Sequence, residues 1–224
     1  MAVLRERCRG LSLGLFAGDM CNLRQSAETI AGLGASMIHF DVMDGCFVPD
    51  LTAGPSAISG LGVDAVMDVH LMVEHPANHV AAYVNAGADI IAVHAEAENA
   101  SEAIPALRAA ANTAVREVLA GVALMPGTSL RDAAPVLDQS PDLVLVLALD
   151  PRTGGRVDIS RACRKVAEIR AALPEAVIAF DGGVTLDTFP EIAAAKPDIV
   201  VSGSAVMRAD DPAGVFQRMT QMLT

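Results

Sequence analysis

Short apolar runs alternate along this chain with longer segments in which apolar residues return at helical spacing. The runs fall at residues 11–17, 38–42, 65–71, 90–93, 121–124, 143–149, 176–180 and 199–202. Their length, their bounding turn residues and their nearly unbroken apolar character predict eight parallel strands buried on both faces. The intervening segments predict helices at 23–33, 56–61, 76–85, 101–112, 129–137, 159–173, 186–195 and 212–223. Gly34 and Gly87 stand where a helix should stop, Pro76 where a first turn tolerates it, and Ser101 where an N-cap is expected. Gly14 weakens the first strand. A strand followed by a helix, eight times over, predicts a parallel sheet covered by helices. At roughly 250 residues or fewer the natural solution is the closed (β/α)8 (TIM) barrel, with an open doubly wound sheet as the alternative. No linker or low-complexity tract interrupts the rhythm, so residues 1–224 are expected to form one barrel domain.

Composition narrows the reading. Hydrophobic residues make up 52% of the 224 and charged residues 19%, enough for a sizeable core and against global disorder. Aromatics are only 3%, which gives an aliphatic core and few platforms for stacking bases. A net charge of −11 repels nucleic acid and anionic membranes, so neither is expected as a partner. Cys8, Cys21, Cys46 and Cys163 show no zinc or disulfide-framework spacing, which suggests free thiols in a reducing cytosol. Residues 1–9 do not read as a signal peptide, and the run at 143–149 is too short to span a bilayer. A cytoplasmic enzyme is the expectation.

Candidate chemistry gathers at strand ends. Ile38-His39-Phe40-Asp41-Val42-Met43-Asp44-Gly45 reads as a strand running into a loop, and alternation puts His39 and Asp41 on one face. Val66-Met67-Asp68-Val69-His70-Leu71-Met72 and Val177-Ile178-Ala179-Phe180-Asp181-Gly182-Gly183-Val184 have the same grammar. In a barrel, active sites lie at the carboxyl ends of the strands, which would bring His39, Asp41, His70 and Asp181 to one rim. Imidazoles and carboxylates together suit a divalent metal such as zinc, iron(II), manganese or cobalt. Two carboxylates flanking a bound carbon also suit removal of a proton from one face and its return to the other. Gly182 and Gly183 after the seventh strand, Gly203 and Ser204 after the eighth, and Gly154 and Gly155 after the sixth mark the arc where barrels hold phosphate on backbone amides. His94 and Glu96 are expected to be ordinary hydrogen-bonded groups, Met43 and Met72 would ordinarily fill core, and Cys46 has no base at a telling spacing.

Five stretches carry a further signal. They are His39-Phe40-Asp41-Val42-Met43-Asp44-Gly45-Cys46-Phe47-Val48-Pro49-Asp50, Asp68-Val69-His70-Leu71-Met72-Val73, Pro126-Gly127-Thr128, Asp181-Gly182-Gly183-Val184 and Val201-Ser202-Gly203-Ser204-Ala205. With them the chain resembles the ribulose-phosphate 3-epimerase family over nearly its whole length. The resemblance implies interconversion of ribulose 5-phosphate and xylulose 5-phosphate. It implies one metal on His39, Asp41, His70 and Asp181, and two-base proton transfer by Asp41 and Asp181 through a metal-stabilised enediolate. It implies a site walled by Met43 and Met72, a substrate contact from His70, and phosphate on Gly182, Gly183, Gly203 and Ser204. Family members are commonly oligomers, so a homo-oligomer is expected.

The chain departs from the family pattern at three places. The first-strand serine that usually touches substrate is Gly14, with Ser12 two residues earlier and one layer deeper. The loop after the sixth strand, normally Pro-Gly-Phe-Gly-Gly-Gln, is Pro151-Arg152-Thr153-Gly154-Gly155-Arg156. A third site methionine is Leu147. Arg152 or Arg156 could pair with a phosphate, pair with a carboxylate, or stay in solvent. These departures leave open a relative acting on another ketose or ketose phosphate, such as a ketohexose 6-phosphate. A barrel that binds a sugar phosphate without turnover is the reading from a different class.

Overall fold

A computed structural model describes residues 2–223. Eight parallel strands close into a barrel in sequence order, β1 (Gly10–Gly14), β2 (Met37–Met43), β3 (Val66–Met72), β4 (Ile90–His94), β5 (Leu119–Leu124), β6 (Leu143–Leu147), β7 (Val177–Asp181) and β8 (Ile199–Ser202). β8 pairs back onto β1, so the sheet has no edge. The helices are α1 (Ala2–Arg7), α2 (Leu23–Gly32), α3 (Pro55–Leu61), α4 (Val80–Ala86), α5 (Ala100–Thr113), α6 (Ala134–Leu137), α7 (Ile159–Ala172), α8 (Phe189–Ala194), α9 (Ser204–Met207) and α10 (Pro212–Leu223). The expected (β/α)8 barrel is the fold. No helix among the described residues is long and apolar enough to cross a membrane.

Strand alternation sorts the core into two compartments. Ile38, Phe40 and Val42 of β2 join the large cluster between sheet and helices. Their neighbours on the other face point into the barrel, where Met37, Val66, Ile90, Leu119, Leu143, Leu145 and Val177 form a separate aliphatic cluster with Leu4 and Cys8. The amino-terminal helix thus packs against the barrel interior. Cys8 is buried there, and burial pushes its thiol up to about 12. The four cysteines are free thiols.

Several boundaries differ from expectation for local reasons. Residues 15–17 leave the ladder and form a 3-10 turn. Their apolar run continues because Leu15 still packs in the core, and hydrophobicity records burial rather than strand pairing. Only Ala134–Leu137 of the predicted 129–137 helix is α-helical, because Pro135 lacks an N–H and sits in the first turn. Pro190 begins the short α8 in the same way. Ser101 lies inside α5, whose cap is Asn99 in the left-handed region at φ +48°. Pro76 heads a separate 3-10 turn ahead of α4. α1 and α9 were not expected from the pattern.

Candidate active site

The pairing of β2 with β3 brings most of the candidate groups together. His39 is level with Asp68, Asp41 with His70, and Met43 with Met72. All six are on inward-facing positions. Asp181 ends β7 and is level with Leu147 of β6. One ligand atom from each of His39, Asp41, His70 and Asp181 lies within 4.8 Å of the other three. His39 Nε2 and His70 Nδ1 each stand 3.2 Å from Asp41 Oδ1. From Asp181 Oδ2 they stand 4.0 Å and 3.8 Å.

These separations suit a metal. Metal–ligand bonds of about 2.0–2.2 Å in tetrahedral geometry put neighbouring ligand atoms about 3.3–3.6 Å apart. Small adjustments of Asp181 would complete such a shell. The electrostatics agree. Burial would lift the Asp41 carboxyl, but the His39 and His70 imidazoles hold it well below the usual carboxylate range. Burial, helped by the Asp41 charge, raises Asp181, against the pull of both histidines. Burial disfavours a charged His39, yet Asp68 and Asp41 outweigh it and hold its pKa well above the ordinary value. A field that retains a proton on a buried imidazole also attracts a cation.

Other side chains set the orientation of the two histidines. His39 Nδ1 lies 2.8 Å from Asp68 Oδ2, which also accepts from the Ser12 hydroxyl at 2.8 Å. Ser12 is therefore committed one layer below the rim. His70 Nε2 lies 2.8 Å from His94 Nε2, and His94 Nδ1 lies 3.1 Å from Glu96. Burial, with no full compensation from Asp41, lowers the His70 pKa. His94 and Glu96 are thus hydrogen-bonded groups, as expected, but they back a candidate ligand. Asp68 was overlooked as a functional residue. The available signal was its place two residues before His70 on the same strand face.

The arc after β6 to β8 is organised differently. Gly182 and Gly183 have φ of +97° and +68°, conformations that favour glycine. The Gly182 amide lies toward the Asp181 carboxylate. Gly203 approaches β1 so closely that a Cβ on Gly14 would sit 3.2 Å from its Cα. Ser204 opens α9. In the loop after β6, the Gly155 amide donates to the Asp150 carbonyl, and Gly154 is exposed at φ +60°. Arg152 forms a two-pronged pair with Asp150, through Nε at 3.1 Å and Nη2 at 2.8 Å, and its guanidinium stands 5.8 Å above the Phe47 ring. That pairing holds the Asp150 carboxyl below its usual range. Arg156 is exposed. Of the wall residues, Met72 and Leu147 are buried and Met43 is half-buried. Cys46 is exposed, and its N–H donates to Asp44.

Comparison with known proteins gives a consistent answer. The model of the "Ribulose-phosphate 3 epimerase family" matches residues 11–207. The ribulose-phosphate 3-epimerase of Rhodobacter capsulatus is 36% identical over 208 residues, covering 91% of this chain and 88% of the relative. That of Bacillus subtilis is 35% identical over 205 residues, covering 88% and 91%. The rice cytoplasmic isoform is 33% identical over 211 residues, covering 92% and 90%. Among solved structures, 3-hexulose-6-phosphate synthase from Salmonella typhimurium superposes with a TM-score of 0.70 over 95% of this chain and 97% of that one. At 21% identity that likeness shows the barrel fold alone.

Proposed function

This chain belongs to the ribulose-phosphate 3-epimerase family and is a carbohydrate epimerase of the isomerase class, and from that premise we propose that it inverts C3 of ribulose 5-phosphate to give xylulose 5-phosphate, and the reverse. The observation that carries the reading is the convergence of His39, Asp41, His70 and Asp181 at the carboxyl rim. His39 Nε2, His70 Nδ1 and one oxygen of each aspartate would hold one divalent ion. Mixed nitrogen and oxygen donors suit zinc, iron(II), manganese or cobalt. When bound, the ion supplies positive charge opposite the substrate oxygens on which negative charge develops, an effect worth several kcal/mol.

The protein groups do the proton work. Asp41 and Asp181 come from well-separated strands and would flank a small ligand. One takes the C3 proton from one face, and the other gives a proton to the opposite face, which inverts the carbon. Met43, Met72 and Leu147 wall the site and exclude water from the flat carbon centre. The amides of Gly182, Gly183, Gly203 and Ser204 would hold the phosphate, with Gly154 and Gly155 beside them and His70 against the sugar. Arg152 and Arg156 line the outer edge of that arc.

A second reading has its own support. Gly14 offers no hydroxyl to a substrate, and Arg152 is tied to Asp150. Both fit a relative that acts on another ketose or ketose phosphate by the same chemistry. Metal analysis of the purified protein, with a panel of phosphorylated and unphosphorylated ketoses deuterated at C3, separates the two. The proposal expects fastest loss of deuterium from ribulose 5-phosphate. A faster reaction with a ketohexose phosphate favours the second reading. We also take residues 1–224 as one barrel domain and the enzyme as a cytoplasmic homo-oligomer, which suits free cysteines; sedimentation tests the assembly.

A further inference from the structure

One hydrogen-bonded line leaves the candidate metal centre and runs outward to a helix. His70 Nε2 meets His94 Nε2 at 2.8 Å, and His94 Nδ1 meets Glu96 Oε2 at 3.1 Å. The other carboxylate oxygen of Glu96 accepts from the Met125 N–H at 2.9 Å and from the Thr128 hydroxyl. The 125–128 turn is pinned from behind by Lys165 of α7. Its ammonium donates to the carbonyls of Met125, Pro126 and Thr128 at 2.7, 3.0 and 2.6 Å. Lys165 is only 6% exposed and commits all three of its protons to that turn. None of these groups has a part in the proton transfer assigned to Asp41 and Asp181.

With a cation in place of a proton between His70 Nδ1 and the Asp41 carboxylate 3.2 Å away, the line admits one consistent set of protons. A backbone N–H can only donate, so Glu96 Oε1 accepts. Oε2 also accepts, so His94 Nδ1 carries a proton. A neutral imidazole then has a bare Nε2, and the facing His70 Nε2 must donate to it. That leaves His70 Nδ1 bare, and Nδ1 is the atom turned toward Asp41 and Asp181. A doubly protonated His94 would reverse the last step. It would also place a buried cation in a stack on His70, with ring centroids 4.9 Å apart, beside a metal ion.

We propose that Glu96 and His94 are positioning residues that fix His70 in the tautomer offering Nδ1 to the metal, with Lys165 anchoring the far end of the line. This rests on the metal-centre reading above. It has a sharp consequence in Glu96→Gln, which conserves shape. Glutamine has one acceptor oxygen and one NH2 group. The Met125 N–H claims the oxygen, so the NH2 group faces His94 Nδ1. His94 must then accept there, and the proton order reverses along the line. His70 ends with a proton on Nδ1, where the metal would bind.

The test compares wild type, Glu96→Gln, His70→Ala and the double variant. Each is titrated with zinc against a chromophoric chelator and loaded with cobalt(II) for its visible spectrum. Melting of each metal-free protein reports folding. Glu96→Gln is expected to weaken zinc binding about 10–100-fold. It should alter the cobalt spectrum, melt as a single transition no more than about 4–8 °C below wild type, and have no further effect on affinity once His70 is alanine. Unchanged affinity and spectrum in Glu96→Gln overturns the proposal, and so does an equal loss in the His70→Ala background. Nitrogen-15 imidazole spectra of zinc-loaded wild type test it without any variant. A His70 ligated at Nδ1 and protonated at Nε2 is expected, and a proton on Nδ1 overturns it. A wild type that takes up no zinc or cobalt sinks the metal-centre reading beneath, a result distinct from failure of the relay alone.

Discussion

The two halves of the barrel rim are built by different means. Where β2 and β3 end, side chains are held by side chains. His39 is 1% exposed and backed by Asp68 and Ser12, and His70 is 1% exposed and backed by His94 and Glu96. Where β6 and β7 end, the surface is backbone with Gly154, Gly182 and Gly183 at positive φ, and after β8 Gly203 lies close against Gly14 of β1. The two-pronged side-chain grip there, Arg152 on Asp150, stays within its own loop. The first half is set before a ligand arrives. The second can be reshaped by a few loop residues without disturbing the first. A family chemistry can therefore persist on one side of the rim while the substrate-reading side drifts.

Each prediction breaks one half and asks whether the other notices. The largest effect is expected from Asp41→Asn or Asp181→Asn, each lowering kcat for ribulose 5-phosphate by about 10²–10⁴-fold in steady-state assays. Next is Asp68→Asn, which removes the carboxylate behind His39 and should weaken zinc binding about 10–100-fold by chelator competition. If zinc binding is untouched, the claim that this half is held by its supporting side chains fails.

Acid should act on the same half. Burial alone would raise the Glu96 carboxyl, but His94, Thr128 and the Met125 amide draw it down to about 2, against 4.5 for a free glutamate. A folded-state pKa below the unfolded one stabilises the fold above about pH 4.5 and is lost as pH falls toward 2. Denaturant unfolding of wild type and Glu96→Gln should therefore differ by on the order of 2 kcal/mol near pH 6 and converge near pH 2. A gap that persists at pH 2 contradicts this.

The glycine half should fail differently. In Gly183→Ala, φ of +68° strains the backbone and the new Cβ would lie 2.3 Å from Val157. KM for the sugar phosphate should rise about tenfold, the order of effect that strain of about 1–3 kcal/mol allows, while zinc affinity stays at the wild-type value. The smallest effect is expected from Arg152→Ala. Its side chain is 43% exposed, so the Asp150 pair is worth well under about 1 kcal/mol, and melting should barely shift. A rise in KM confined to phosphorylated ketoses would show that Arg152 leaves Asp150 to read phosphate.

The same contrast explains what the sequence disclosed. His39, Asp41, His70 and Asp181 were legible because strand alternation is a short-range rule, and barrel geometry then brings strand ends to one rim. The partner of His39 was not, because level placement of His39 with Asp68 depends on the β2–β3 register, which no local pattern states. The line from His70 to Lys165 crosses from β3 through β4 and a turn to α7, and is invisible for the same reason. Residues 15–17 and 129–137 misled because apolar spacing reports burial, whereas Pro135 and the turn after Gly14 decide the backbone hydrogen bonds. Arg152 faced a choice between phosphate and carboxylate that only loop conformation could resolve, and in this structure it takes Asp150.

The central claim is that these four groups hold one divalent ion for proton exchange at C3. The most direct measurement is to incubate ribulose 5-phosphate with the protein in deuterium oxide and follow C3 by NMR. The account predicts xylulose 5-phosphate carrying deuterium at C3, with exchange abolished by a chelator and restored by added zinc, manganese, iron(II) or cobalt. Exchange that survives complete metal removal, or no exchange with any of these ions present, would contradict it.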